Sequence, residues 1–426
     1  MNIIHGDCLE ELKKLEDNSI DAVVCDPPYG LSNTKPQQVA DVLKAWVTGD
    51  TVSVPAKRGG FMGKDWDSFV PPPAVWEECM RVLKPGGHMA VFAGARTQDL
   101  MGLSIRLAGF EIRDTLGWVY GSGMPKSHNI SKAIDKAAGA EREVVGAGKS
   151  GKTYGMGGLR GVETSTGSFD ITAPATSEAQ RWDGWGTALK PAIEPVILAR
   201  KPLDGTVANN VLAHGVGGLN IDACRVGIDD IERDVIDNRS GPAGAKPDDV
   251  YRGGWASMGK MFKSHAQGRF PANVLLDEHA AEELDKQSGV SKSTPRTPSG
   301  TSGAGSATAF QRGAETSSHA DSGGASRFFP VFKYQAKAPK KERPVIERED
   351  GSKIQHPTVK PLALLEWLVE LITPPGGVVL DPFAGSGTTL QAAINKGFTP
   401  IGIEQDADYI KLIEKRLEAT CTTHKN

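Results

Sequence analysis

The sequence predicts an α/β fold on an open, mainly parallel β-sheet, interrupted by a long loop-rich stretch. Short apolar strands alternate with helices at both ends of the 426-residue chain, which is the rhythm of βα units in a parallel sheet. Two of those strands end in turns rich in Pro or Gly, where an open parallel sheet collects its ligands. The middle of the chain is dominated by Gly, Ser and Thr, which supply little apolar surface for a core.

At the N-terminal end, Asn2–His5 reads as a strand and 8–15 as a helix. Ile20–Cys25 is an apolar, buried strand that stops at Asp26-Pro27-Pro28-Tyr29. A helix over 73–83 is closed by Lys84-Pro85-Gly86-Gly87; strand 88–93, helix Gln98–Leu107 and strand 111–120 follow. Toward the C-terminal end, Pro361 suits a first helical position, and Leu364, Leu365, Leu368, Leu371 and Ile372 share one helical face. Thr373-Pro-Pro-Gly-Gly377 ends that helix, and Val378–Asp381 is a short buried strand. A Gly-rich turn, a helix through Ile394, a strand over 400–404 and an amphipathic helix over 409–417 complete the pattern. Between the two ends, 146–168 and 288–326 are Gly/Ser/Thr tracts, and the second is expected to stay disordered without a partner. Ordered islands are expected at 192–200 and 269–276, and there is no internal repeat.

With 49 basic and 52 acidic residues, a net charge of −3 excludes a general basic coat, so any nucleic-acid contact must be local. One candidate patch runs over 327–343, where Arg327, Lys333, Lys337, Lys340, Lys341 and Arg343 face only Glu342; a solvated loop explains it equally well. The five cysteines are scattered, odd in number and without C-x-x-C spacing, which argues against a zinc site or disulfide framework and fits a reducing cytoplasm. No apolar run is long enough to cross a bilayer and no leader pattern opens the chain, so a soluble cytoplasmic protein with no membrane partner is expected.

Asp381-Pro382-Phe383-Ala384-Gly385-Ser386-Gly387-Thr388-Thr389 follows a strand and opens a helix. Glycines there let backbone N–H groups approach a ligand at the positive end of the helix dipole. Glu404, after the next strand, is placed to accept hydrogen bonds from ribose hydroxyls. A Gly-x-Gly turn alone is weak evidence. No Lys follows the second glycine, as a P-loop needs, and the third glycine of a dinucleotide fingerprint is missing near Thr389. Carboxylates at both edges favour a ligand carrying a nucleoside and a cation, as S-adenosyl-L-methionine (AdoMet) does.

Asp26-Pro27-Pro28-Tyr29 puts a carboxylate, a carbonyl held by rigid proline φ angles and an aromatic face at one strand tip. An exocyclic aromatic amine needs that set, because its lone pair is delocalised into the ring. If Asp26 and the Pro27 carbonyl each accept one N–H, a pyramidal nitrogen is favoured and its lone pair is freed for in-line attack on a sulfonium methyl. Tyr29 is then the stacking platform for an extruded base, and Asp26 the acceptor of the proton lost.

Together the two motifs resemble the amino-methyltransferases of DNA, and their order, catalytic motif first, resembles the β group of that family and its phage and prophage members. The resemblance implies a Rossmann-like, seven-stranded, mainly parallel sheet with circularly permuted motif order and an inserted target-recognition region. The implied domains are 1–204 and 331–426 as the two parts of the catalytic domain, with 205–330 as the recognition insert. It also implies AdoMet as cofactor, double-stranded DNA as partner, self-pairing as a homodimer among relatives, and a restriction–modification or phage setting.

By the same resemblance Asp26, Pro27, Pro28 and Tyr29 are catalytic. Asp7, Cys8, His356, Thr358, Lys360, Asp381, Phe383, Ala384, Gly385, Ser386, Gly387, Thr388, Thr389 and Glu404 contact the cofactor, and no metal is expected. The 61–67 and 118–120 segments resemble loops near the target base. Plainer readings stand beside these: Asp7 as a helix cap, His356 as a structural residue, Cys8 and Cys25 as core fillers, Trp66 and Trp118 as core aromatics. Asp at the first motif position favours adenine N6 over cytosine N4. It also disfavours the related glutamine methyltransferases, which carry Asn there. A DNA-binding protein without turnover is the alternative of another class.

Overall fold

The computed structural model describes residues 2–32, 34–55, 67–121, 123, 127–149, 168–227, 268–292, 322–332, 343–348 and 350–423. The first elements are β1 (Asn2–His5), α1 (Cys8–Leu12), β2 (Ile20–Cys25), α2 (Pro36–Val47), α3 (Pro73–Val82), β3 (Leu83–Phe92), α4 (Gln98–Leu107) and β4 (Glu111–Val119). Next come α5 (Ile130–Ala137), β5 (Val144–Lys149), β6 (Ser168–Thr172), α6 (Ser177–Arg181), β7 (Ile193–Arg200), α7 (Val207–His214), β8 (Val274–Asp277) and α8 (Glu278–Ser288). The two-residue strands β9 (Ser291–Lys292), β10 (Ser322–Gly323), β11 (Val331–Phe332), β12 (Ile346–Glu347) and β13 (Lys353–Ile354) follow. The last elements are α9 (Leu362–Ile372), β14 (Val378–Asp381), α10 (Thr388–Asn395), β15 (Thr399–Glu404) and α11 (Ala407–Thr423).

These elements divide into two compact units: Met1–Gly121 with Ile193–Asn426, and Ser122–Ala192. The first holds a sheet ordered β1-β15-β14-β2-β3-β7-β4-β8-β11. Every pair in it is parallel except those of β7, which runs antiparallel to both β3 and β4. Seven strands, from β1 through β4, match the expected sheet, while β8 and β11 lengthen it to nine. The extension follows from Leu275 and Leu276, whose burial beside β4 turns an expected island into a strand. The other island became β7, an internal strand whose last six residues are buried.

Strand β2 is buried at all six positions because helices cover both faces of the sheet. Val23 and Cys25 enter one core with Leu12, Trp76, Met89 and Ile105. Ala22 and Val24 enter the other with Trp118, Leu364, Leu368 and Val379. Trp118 is therefore a core aromatic, packed edge-on against Phe332, and Cys25 fills the first core as expected, with Cys8 packed against it.

Two local expectations are corrected. Helix α1 is only five residues long, since Ser19 and a left-handed Asn18 turn the chain into β2 soon after. Lys84-Pro-Gly-Gly87 belongs to β3 instead of forming a separate turn; Lys84 ion-pairs with Asp21 at 2.6 Å and anchors that end of the strand. Helix α2, capped with Pro36 at its first position, was not anticipated.

The second unit contains α5, the antiparallel β5–β6 hairpin and α6. Its centre is Asp135, whose carboxylate accepts from Arg142, from the Ala175 and Thr176 amides and from the Thr176 hydroxyl. This unit falls inside the stretch 1–204. The expected disorder of 288–326 and the 61–66 segment fall largely or wholly outside the described residues, as do Lys333, Lys337, Lys340 and Lys341 of the basic patch. Arg327 is described, and its guanidinium bonds the carbonyls of Gly323 and Gly324 while lying over the Phe328 ring. Those local contacts favour the plainer reading of that residue. No helix among the described residues is long and apolar enough to cross a membrane.

Candidate active site

Strands β14 and β2, far apart in sequence, are direct parallel neighbours, with Val379 opposite Ala22 and Leu380 opposite Val23. Their carboxyl ends therefore emerge side by side, carrying Asp381 and Asp26.

At the β14 tip, Asp381 accepts a hydrogen bond from the Phe383 amide at 3.0 Å. The Ala384 amide bonds the Ile403 carbonyl of β15, so the turn is pinned to the sheet. Gly385 and Gly387 have φ of +53° and +76°, the left-handed region that side chains resist. Gly387 is the N-cap of α10, so Thr388 and Thr389 form its first turn. Glu404, at the end of β15, accepts from the Gly385 amide through Oε2 and from the Asp406 amide through Oε1, both at 2.8 Å. Burial raises both carboxyls above their ordinary range, Glu404 partly offset by those amides and Asp381 to about 7 despite bonds from Thr389 and Phe383.

The edges of this turn come from three other segments. The Gly6 amide bonds the Glu404 carbonyl, which brings Asp7 and Cys8 beside β15. Asp7 Oδ1 accepts from the Leu9 and Glu10 amides, so the residue is the α1 cap. Burial, then Asp7, pushes the Cys8 thiol up to about 12, which leaves it a neutral filler. His356 lies over the turn: a Cβ on Gly385 would come 3.0 Å from its Nε2. Its ring meets Tyr409 edge-on, its Nδ1 bonds the Thr358 carbonyl, and burial lowers its pKa. Arg416 of α11, unanticipated from sequence, is buried and donates to the Ser386 carbonyl at 2.7 Å and to Gln391 at 2.8 Å.

The β2 tip is of a different kind. Lys360, whose side chain is 12% exposed, ion-pairs with Asp26 Oδ2 at 2.9 Å and with Glu194 Oε2 at 3.1 Å. Its ammonium also donates to the Tyr29 hydroxyl at 2.9 Å, and that hydroxyl donates to Glu194 at 3.4 Å. The rings of Tyr29 and Phe92 lie 5.2 and 4.9 Å from Lys360 Nζ. Burial works to neutralise Lys360, but Asp26 and Glu194 outweigh it and hold its pKa above the lysine range. Burial, then Asp26 and Glu194, raises that of Tyr29.

The Asp26-Pro27-Pro28-Tyr29 loop is itself held in place. Thr97 donates to the Tyr29 carbonyl at 2.6 Å, and the Gly30 amide donates to Asp67 at 3.0 Å. Among the described residues, Asp26 Oδ1 is buried and has no hydrogen-bond partner. An orphaned carboxylate oxygen is costly in a folded interior, and this one, at the strand tip beside Asp381, is free to accept from a donor that enters the site.

Lys360, expected on the cofactor side, thus lies in the Asp26 cluster, with contacts to three acceptors that match the three protons of its ammonium. Glu194 is a member of the Asp26 cluster that sequence reasoning missed. Its signal was a lone carboxylate opening the apolar run Ile193-Glu194-Pro195-Val196-Ile197-Leu198. The two tips together offer backbone amides and buried acids for a nucleoside-bearing cation beside an acceptor set for an amine.

A family model described as DNA methylase, N6_N4_Mtase, matches residues 20–415. DNA adenine methyltransferase YhdJ of Escherichia coli (strain K12) is 51% identical over 63 residues, 15% of this chain and 21% of that protein. Type II methyltransferase M.HindIII of Haemophilus influenzae is 26% identical over 239 residues, 51% of this chain and 64% of that protein. The matched stretches thus span less than two thirds of either relative's length. The crystal structure of the M1.HpyAVI–SAM complex is 15% identical with a TM-score of 0.39, covering 98% of each chain.

Proposed function

Because this chain belongs to the DNA methylase family matched over residues 20–415, we propose that it methylates the exocyclic amine of a base in duplex DNA, at adenine N6. The observation that carries this reading is the unpartnered Asp26 Oδ1 beside the glycine turn of β14. AdoMet is the cofactor of the family, and the residues present fit it. The Gly385 position has no room for a Cβ under His356, and the Gly385 amide and Glu404 carboxylate lie at the turn where a ribose would sit. Asp381 and Asp26 supply negative charge for a sulfonium. When bound, AdoMet supplies the electrophilic methyl group.

The chain's own residues do the rest by positioning. Asp26 Oδ1 and the Pro27 carbonyl accept the two N–H groups of the amine and so free its lone pair. Tyr29, with its hydroxyl fixed between Lys360 and Glu194, offers its ring to a base flipped out of the duplex. As the amine nitrogen gains the methyl group that bound AdoMet would supply, leaving the thioether, its proton would pass to Asp26 Oδ1. Adenine is favoured by Asp at the first motif position, and a relative named as a DNA adenine methyltransferase supports it.

The test is to incubate purified protein with unmethylated duplex DNA and methyl-labelled AdoMet, digest to nucleosides and identify them by mass spectrometry. N6-methyladenosine as its deoxynucleoside is the expected product. Label in N4-methylcytosine would reassign the base. No label despite measurable AdoMet binding would leave a DNA-binding protein without turnover.

A further inference from the structure

Two carboxylates, one ammonium and one phenol converge at the β2 tip from three chain segments, and the amine chemistry above uses only Asp26 and Tyr29. We propose that Glu194 and Lys360 are positioning residues that set the charge and orientation of Asp26, with Glu194 keeping Lys360 from neutralising it. The inference rests on the methyl-transfer reading of the same site.

Charge counting gives the reason. An Asp26–Lys360 pair alone is neutral, and a carboxylate matched one-to-one by an ammonium is a weak acceptor for an amine. Glu194 adds a second carboxylate 3.1 Å from the same ammonium, so the buried cluster carries one excess negative charge. That excess lies beside the nitrogen that gains positive charge as it is methylated, and low-dielectric surroundings strengthen its effect.

Geometry gives the second reason. Lys360 spends its donors on Asp26 Oδ2, Glu194 and Tyr29, so the ammonium has nothing left for Asp26 Oδ1, the unpartnered oxygen. Without Glu194, that third N–H is free to swing onto Oδ1 and block it. The same carboxylate receives the Tyr29 hydroxyl, which fixes the ring that stacks the base. Beyond these four groups, Tyr120, His356, Asp381 and Cys25 are titratable neighbours of the cluster among the described residues.

The experiment compares wild type with Glu194→Gln and Glu194→Asp. Single-turnover methyl transfer and DNA KM are measured across pH, AdoMet affinity by calorimetry, and Lys360 reactivity by competitive acetylation and mass spectrometry. For Glu194→Gln the transfer rate should fall about 10- to 100-fold, the worth of one charge-assisted hydrogen bond. AdoMet affinity and DNA KM should stay within about twofold, because neither depends on the Asp26 oxygen. Lys360 should acetylate more readily at a given pH, as an ammonium that loses a counter-charge gives up its proton more easily. Glu194→Asp should recover part of the rate.

If the wild type transfers methyl groups and Glu194→Gln matches it in rate and Lys360 reactivity, the proposal is overturned alone. Loss of AdoMet affinity together with rate would overturn it in favour of a merely structural role. A wild type that binds AdoMet but methylates nothing removes the reading beneath the proposal, and the proposal with it.

Discussion

The two strand tips that meet in this sheet are built in opposite ways. The β14 tip is local: Asp381 through Thr389 are consecutive, and their turn, with two left-handed glycines, is closed by its own amides on Asp381, Ile403 and Glu404. The β2 tip is assembled: Asp26 and Tyr29 meet Glu194, 165 residues beyond Tyr29, and Lys360, 331 residues beyond it. One tip is a backbone turn closed on its own amides and the other a buried cluster of charge. The difference teaches that cofactor binding and methyl transfer should be separable by mutation, since each tip can be damaged without touching the other.

The largest effect expected on that basis is at Asp26. Asp26→Ala removes the acceptor of the amine and of its proton together. Transfer should fall by about 10³-fold or more, beyond the 10²–10³ cost of a single preorganised partner. AdoMet affinity should stay within about threefold, since the backbone turn is intact and only a nearby charge is lost. Calorimetry and a labelled-methyl assay on one preparation check both halves, and equal losses in both would break the comparison.

The converse cut is Gly385→Ala. Its φ of +53° and the approach of a new Cβ to within 3.0 Å of His356 Nε2 both oppose a side chain. A left-handed alanine costs about 1–2 kcal/mol, so AdoMet affinity should weaken about 10-fold as the turn or His356 gives way. At saturating AdoMet the transfer rate should change far less. A variant with normal affinity and a collapsed rate would mean that the turn shapes the β2 tip after all.

The same division decides what was legible in the sequence. Asp381 through Thr389 and Glu404 could be singled out because two closely spaced glycines follow one strand and a lone acid follows the next. Asp26 through Tyr29 could be singled out for a similar reason, and so could most strands near them, because burial on both faces leaves apolar runs such as Ala22–Cys25. Glu194 could not. Its role exists only once β7 pairs antiparallel with β3 and β4, and no local pattern announces which distant strand a segment will join. The contact of Lys360 with Asp26 was hidden in the same way. Arg416 was hidden the same way, as one basic residue of an amphipathic helix whose guanidinium turns inward to Ser386.

A smaller effect tests whether the β14 tip is tuned for a cation. Burial holds Asp381 near a pKa of about 7, against an ordinary 3.8. The folded protein therefore binds a proton at pH 6 that the unfolded chain has released. With a raised carboxyl pKa, the stabilising contribution is full below the unfolded value and is lost as pH rises through about 7. The wild-type melting temperature should accordingly fall more steeply from pH 6 to pH 8 than that of Asp381→Asn. A sulfonium nearby favours the carboxylate and draws the pKa back down, so AdoMet binding at pH 7 should expel part of a proton. Calorimetry in two buffers of different ionisation enthalpy reads that proton directly. Binding with no proton released, in a protein whose Asp381 still titrates near neutrality, would mean that the cation sits away from this acid and that Asp26 and its cluster bear the charge alone.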